Sequence, residues 1–232
     1  MKKNQSNKWL AAMKIFTFFW MIFVIIGSLY LTPEAAGFKS TSRVIFYHVP
    51  MSWVASLAFL LAAISGILYL RTKKLVYDIW AISSVEIGFL FSILATITGS
   101  LWAKVEWGAF WNWDPRETSI VVLLMIYAAY FALRSALESR EQKAQISAVY
   151  SILAFITVPF LIFVVPRILF TLHPQNPVFT TQTGSIMSPK IKLIFFSSIF
   201  GFTLFYYWLL RLRVDLEKIK NNLLAKKRQD NF

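Results

Sequence analysis

The sequence contains no cysteine among its 232 residues and only two histidines. The absence of cysteine excludes disulfides, thiolate metal sites and thioether attachment of a cofactor to this chain. Charge is also scarce: 15% of the residues are charged, against about 25% in a typical soluble domain. Since 57% of the chain is hydrophobic, the composition favours lipid rather than water as the surrounding solvent.

The hydrophobic residues are concentrated in runs of about twenty, the length that a helix needs to cross a hydrocarbon core about 30 Å thick. These runs predict an all-α, polytopic membrane protein with six transmembrane helices. Pro50 is expected to interrupt the second span, and Pro159 lies in the fifth. The expected spans are 11–31, 44–70, 79–101, 119–133, 146–165 and 191–210.

The charge pattern predicts the orientation of these spans. The formal net charge is +13, and the Lys and Arg residues flank the apolar runs, which is typical of membrane topology rather than nucleic-acid binding. The two tails and the even-numbered loops hold 17 of them, and the odd-numbered loops hold 7. Both termini are therefore expected in the cytoplasm, with loops 32–43, 102–118 and 166–190 outside.

The two tails complete the expected domain organisation. The basic N-terminus is interpreted as the start of a retained first helix, because the long apolar run after it lacks a small-residue cleavage site. Residues 1–210 are expected to form one six-helix domain. Residues 211–232 are expected to form a basic cytoplasmic helix or tail.

The two histidines are predicted to lie on the same, outer side of the membrane, although they are 125 residues apart. His48 stands in RVIFYHVP and His173 in LFTLHPQ, and the neighbouring Pro50 and Pro174 are expected to interrupt regular helix. Two imidazoles from different segments can hold one haem iron from opposite faces. The alternative is two unrelated histidines that bond to backbone at helix ends.

The third outer loop is rich in tryptophan and reads WGAFWNWDPRET, with Trp102 just before it. An aromatic belt at the membrane interface explains one or two indoles, but less well a group packed beside glycine, aspartate and arginine. A flat conjugated macrocycle would stack well on such a platform. Gly108 is expected to allow a close approach of the backbone.

This loop resembles the WWD signature of the haem-handling family of cytochrome c biogenesis. Length, six spans and two outer histidines are most similar to its CcmC branch, the haem-delivery subunits of bacterial system I. The resemblance runs from about Arg43 to the end of the sixth span, and is specific at RVIFYHVP, GSLWAKVEWGAFWNWDPRET and TLHPQ. The form WDPRET is also similar to the longer CcmF and CcsA branches, which join haem to apocytochrome and have more histidines.

The resemblance implies that His48 and His173 are the axial ligands of a non-covalently bound haem b, and that residues 102–118 present it. The cofactor-binding residues expected beside the histidines are Trp102, Trp107, Trp111, Trp113, Asp114, Arg43 and Arg116. The implied partners are the periplasmic haem chaperone CcmE, the ABC transporter subunits CcmA and CcmB, and the small membrane protein CcmD. The implied location is the bacterial inner membrane.

The haem propionates need cations, and Arg43 and Arg116 are the first candidates because Arg binds carboxylates in a bidentate manner. Lys104 and Arg167 are weaker candidates. Arg43 has an alternative role as an interfacial anchor, and Arg116 as a partner of Asp114 or Glu117. Asp114 is expected to fix the loop through Arg116 or to meet a cation of the partner protein.

The expected function is haem binding at the outer face and transfer to the chaperone, without catalysis by this chain, because no nucleophile–base pair or ATP-binding motif is present. The main alternative is a ligation component similar to CcsA or CcmF. A bis-histidine electron carrier is less consistent, because the histidines of such carriers commonly lie well within the spans, whereas His48 stands at the outer end of the second span and His173 in the fifth loop. A haem-independent transporter is less consistent with aromatic residues and histidines crowded on one face. Glu86, an acidic residue within the third span, is left outside the site.

Overall fold

The computed structural model describes residues 2–32, 40–173 and 188–229. These residues form helices, and none of them lies in a β-strand. Short π-helical turns extend the first and fifth helices over Gly27–Leu31 and Phe160–Val164, and a 3₁₀ turn, Ser40–Val44, precedes the second. The α-helices are α1 Lys2–Ile26, α2 Ile45–Thr72, α3 Leu75–Trp107, α4 Pro115–Ala136, α5 Arg140–Pro159, α6 Val165–Ile168 and α7 Pro189–Gln229.

Six of these helical segments are long and apolar enough to cross a membrane, which confirms the predicted all-α, six-span architecture. They are Lys8–Leu31, Thr41–Thr72, Leu75–Trp107, Pro115–Ala136, Arg140–Ile168 and Pro189–Leu223. The cytoplasmic location of the termini and the outward direction of the histidines stay predictions. We therefore name the two ends of the bundle by their residues: the site end contains His48 and Asp114, and the far end contains Asp78 and Arg134.

The core lies between α2, α3, α4, α5 and α7, and the α2–α3 pair makes the most extensive contact. At its centre the ring of Phe59 stacks on Tyr127 with centroids 3.5 Å apart. Helix α1 lies at the periphery and packs mainly on α7, where the Trp20 indole donates to the Ser197 carbonyl at 2.9 Å. The interface between α2 and α3 therefore dominates the core and positions the site.

The prediction that Pro50 interrupts the second span is wrong, since α2 continues through it. Proline has no N–H, so the carbonyl four residues earlier, that of Phe46, loses its usual helical donor. The hydroxyl of Ser198 on α7 donates to this carbonyl instead. A distant helix thus satisfies the group that the proline leaves free. Pro174 lies outside the described residues.

Two ion pairs join the helices at the far end. Arg134 of α4 binds Asp78 of α3 through two bonds of 2.7 Å, and Arg213 of α7 binds Glu86 of α3 at 2.5 and 2.8 Å. Arg213 also lies 3.1 Å from Glu217. These pairs line a cleft of about 920 Å³. The acidic residue within the third span therefore bonds to another helix, and α7 runs as one helix through to Gln229.

Candidate functional site

One face of the last turns of α3 supports the first histidine. Ala95, Thr98, Gly99 and Trp102 share this face because residues three and four apart in a helix are neighbours. His48, in the first turn of α2, has its Nδ1 atom 3.1 Å from the Ala95 carbonyl oxygen and 3.1 Å from Thr98 Oγ1. A carbonyl only accepts, so Nδ1 carries the proton and Nε2 keeps a lone pair.

Gly99 provides the space for this imidazole. A Cβ atom at position 99 would lie 2.9 Å from Cε1 and 3.4 Å from Nδ1 of His48. A side chain at this position would push the ring away from α3. Sequence reasoning missed Gly99, Thr98 and Ala95 as supports of the site, and the available signal was a glycine within an otherwise regular helix.

The second histidine follows α6 and reaches the same part of the bundle. His173 Nδ1 lies 3.0 Å from Asp114 Oδ1. The ring meets Trp107 edge to face, with centroids 4.9 Å apart, and its centroid lies 6.0 Å from that of Trp102. The two indoles are also edge to face with each other, at 5.0 Å. The structure thus brings His173, Trp102, Trp107 and Asp114 together, and their binding of haem stays a prediction.

The surroundings of the second histidine favour its neutral form. Burial of the ring is the main reason that the pKa of His173 falls to about 4. The Asp114 carboxylate opposes this shift, whereas the charges of Arg116 and His48 add to it. At neutral pH the His173 ring is uncharged, which is the form that binds metal.

Asp114 is a buried carboxylate held by several donors. Its Oδ1 atom accepts from the Arg116 backbone N–H at 2.8 Å, and Oδ2 accepts from the Thr171 hydroxyl and the Leu172 N–H at 2.7 Å each. Burial alone would raise the pKa of Asp114, but these hydrogen bonds lower it overall. Asp114 is also the N-cap of α4, where it forms a capping box with Glu117.

The tryptophan-rich loop is shorter than the predicted range. Trp102 and Trp107 belong to α3, which ends at Gly108 with φ +82°. Its left-handed backbone makes Gly108 the C-cap of α3, and no protein atom lies within 4 Å of a Cβ placed there. The close approach of its backbone to a macrocycle stays a prediction. Trp111 and Trp113 form a separate edge-to-face pair at 5.8 Å. Trp113 is 77% exposed and has φ +57°, so its indole projects from a strained backbone.

The candidate cations differ in the ion pairs and hydrogen bonds that they form. Among the described residues, Arg43 Nε is buried without a hydrogen-bond partner, and the Arg116 guanidinium has no ion pair. The suggested pairing of Arg116 with Asp114 is limited to its backbone N–H. Lys104 instead donates to the Gly108 carbonyl at 2.8 Å, and Arg167 donates to the Phe163 carbonyl at 2.6 Å. Arg43 and Arg116 therefore remain available for an anionic ligand.

Comparison with known proteins identifies the family. The family model described as "Heme exporter protein C" matches residues 2–230. The chain belongs to this family. A ccmC-like mitochondrial protein of cytochrome c biosynthesis from Marchantia polymorpha is 31% identical over 193 residues, which covers 82% of each chain. Heme exporter protein C of Paracoccus denitrificans is 27% identical over 87% of this chain and 83% of its own length. The protein of that name from Bradyrhizobium diazoefficiens is 29% identical, over 94% and 79%.

Proposed function

We propose that this protein binds haem b non-covalently between His48 and His173 and delivers it for cytochrome c maturation. One observation carries the proposal: both rings have Nδ1 engaged by an acceptor, and neither Nε2 has a partner among the described residues. Two neutral imidazoles with free Nε2 lone pairs provide the donor set of a bis-histidine haem. The relatives named Heme exporter protein C support the same cargo.

The remaining groups of the site fit the other parts of this cargo. Haem carries two propionates. Among the described residues at the site end, Arg43, Arg116 and Arg167 have no ion pair, and Arg167 donates to the Phe163 carbonyl, which leaves Arg43 and Arg116 as the two arginines for the propionates. The indoles of Trp102 and Trp107 lie beside His173 and offer apolar contact to a macrocycle. We assign the propionates to the two arginines and the ring edge to the two indoles.

Trp111 and Trp113 have a different role in this proposal. They form their own pair away from the His173 cluster, and Trp113 is largely exposed. We assign them to the contact with the periplasmic haem chaperone CcmE. The ABC transporter subunits CcmA and CcmB and the small protein CcmD complete the proposed set of partners, in the bacterial inner membrane with the site end in the periplasm.

The decisive experiment is a haem titration of the purified protein in detergent, followed by absorbance. His48→Ala and His173→Ala should each abolish or greatly shift the haem spectrum, because the chain contains no third histidine. Trp9→Ala is the control, since this exposed indole lies at the beginning of α1 and contacts Tyr207 of α7. A wild-type spectrum in the double histidine variant would refute the ligand assignment.

Transfer is tested separately from binding. Trp111→Ala should retain haem while the yield of loaded chaperone falls, because its indole contacts Trp113 and has no ring contact with His173. Such ring contacts contribute on the order of 1 kcal/mol each, much less than an axial ligand. If haem occupancy and chaperone loading fall in strict proportion, Trp111 belongs to the binding pocket and the division of roles is wrong.

A further inference from the structure

The Nδ1 atoms of the two imidazoles contact hydrogen-bond acceptors of different charge. His48 Nδ1 donates to a neutral carbonyl, that of Ala95, with the Thr98 hydroxyl oxygen at the same distance of 3.1 Å. His173 Nδ1 faces the Asp114 carboxylate at 3.0 Å. Of these acceptors, only the carboxylate can become a hydrogen-bond donor by a single-atom substitution, from aspartate to asparagine.

The carboxylate is fixed from both sides, so its orientation relative to the ring is determined. The Asp114 side chain is 0% exposed, whereas that of His173 is 20% exposed. Oδ2 is occupied by the Thr171 hydroxyl and the Leu172 N–H, and Oδ1 by the Arg116 N–H. Oδ1 thus has one remaining direction, and the imidazole occupies it.

We propose that Asp114 is a positioning residue that holds His173 in the Nδ1–H tautomer and so leaves its Nε2 lone pair for the haem iron. This inference rests on the proposed haem function. A histidine ligand whose other nitrogen donates to a carboxylate has a fixed ring orientation and a more basic ligating nitrogen. Asp114, next to the tryptophans in the sequence, would then act through the imidazole rather than on the haem itself or a partner protein.

The test substitution is Asp114→Asn, which keeps the size and shape of the side chain and removes its charge. Asparagine has only one acceptor oxygen. If that oxygen keeps the donors Thr171 and Leu172, the amide NH₂ takes the place of Oδ1. The Arg116 N–H then loses its acceptor, and the NH₂ faces His173 and donates to Nδ1. The ring must then move its proton to Nε2, the nitrogen that would bind iron. We expect haem affinity to fall about 10- to 100-fold, as for other partners of metal-binding histidines.

The primary readout requires no haem. In protein labelled with ¹⁵N-histidine the chain gives signals from only two rings, and His48→Ala assigns them. We expect the haem-free wild type to show Nδ1–H at both rings. Asp114→Asn should convert His173 to Nε2–H and leave His48 unchanged. An unchanged His173 tautomer in Asp114→Asn overturns the inference.

Two control variants separate positioning from general loop structure. Thr171→Val removes a donor to Asp114, the longer 3.4 Å contact of its hydroxyl with His173 Nδ1 and the acceptor of the His173 N–H. It keeps the 3.0 Å carboxylate–imidazole contact, so it should preserve the tautomer and most of the haem affinity. An equal loss in Thr171→Val would show that the role of Asp114 is merely structural. Thr98→Val should have a smaller effect than Asp114→Asn, because the Ala95 carbonyl remains as acceptor for His48.

These outcomes remain distinguishable from failure of the proposed function. If wild-type protein binds no haem, or binds it equally without His173, the proposed function fails whatever the tautomer. If haem binds through both histidines and the Asp114→Asn tautomer does not change, only the positioning role fails. Should Asp114→Asn not fold, Asp114→Glu keeps the charge and an N-cap acceptor, and must preserve the Nδ1–H tautomer for the inference to stand.

Discussion

Gly99 offers a direct test of how His48 is held. A Cβ atom added at this position would lie 2.9 Å from His48 Cε1, and ordinary contacts begin at 3.4 Å, so the ring must move by about 0.5 Å. The bonds from Nδ1 to Ala95 and Thr98, now 3.1 Å, would then approach about 3.6 Å, where a hydrogen bond is lost. Two such bonds contribute roughly 1–3 kcal/mol, which corresponds to about a 5- to 140-fold change in an equilibrium constant.

We therefore expect Gly99→Ala to weaken haem binding by about tenfold or more without loss of fold. Alanine in a helix interior is favoured over glycine by about 1 kcal/mol, so helix propensity does not oppose the substitution. The assay is haem titration by absorbance, with thermal unfolding of the haem-free protein measured in parallel.

The matched control is Gly201→Ala on α7. A Cβ atom there would also meet neighbours at 2.9 Å, namely Met21 Sδ and Trp20 Cδ1, but neither belongs to the site. Its haem affinity should equal that of the wild type. Wild-type affinity in Gly99→Ala would refute the described support of His48, and equal losses in both variants would point to a general packing effect.

Three further predictions concern topology, charge and stability. A reporter inserted after Asn112 should lie outside the cytoplasm and one at the C-terminal end inside; a cytoplasmic signal at Asn112 would reverse the layout. Arg43→Gln and Arg116→Gln should weaken haem binding more than binding of a haem diester, whose propionate charges are blocked, and equal losses for both ligands would exclude propionate contacts. Arg134→Met leaves Asp78 buried and unpaired, so it should lower the free energy of unfolding by about 3–5 kcal/mol. Adding Asp78→Asn should recover much of that loss, and a double variant as unstable as Arg134→Met would contradict the pairing.

The six spans were predictable because hydropathy measures the length of chain that lipid can accommodate. The helix ends were not, because hydropathy does not measure helicity. Helix α3 continues past the predicted end at Leu101 through a less apolar stretch and ends only at Gly108, which adopts a left-handed backbone. Helix α7 likewise continues beyond residue 210, since charged residues such as Lys and Glu are good helix formers.

The pairing of groups within the site required three-dimensional contacts. The sequence predicts that His48 and His173 share a side, but the bond between His173 and Asp114 joins residues 59 positions apart. The interpretation of Pro50 failed for the same reason, since the donor to the freed Phe46 carbonyl comes from Ser198 on another helix. Local patterns indicate which groups lie at one end of the bundle, and packing determines which of them bond.

The distribution of paired and unpaired charge distinguishes the two ends of the bundle. At the far end, guanidiniums meet carboxylates of neighbouring helices, as Arg134 meets Asp78, so these charges join helices. At the site end the carboxylate of Asp114 is used by an imidazole and by hydrogen-bond donors. Arg43 and Arg116 are therefore left without ion pairs among the described residues. A partly buried cation is costly without a counter-charge, and Arg43 is partly buried with its Nε atom unpartnered. An exposed Arg116 adds a second unpaired cation at the same end, so this end of the bundle favours an anionic ligand that also binds imidazole nitrogen, as a haem dicarboxylate does.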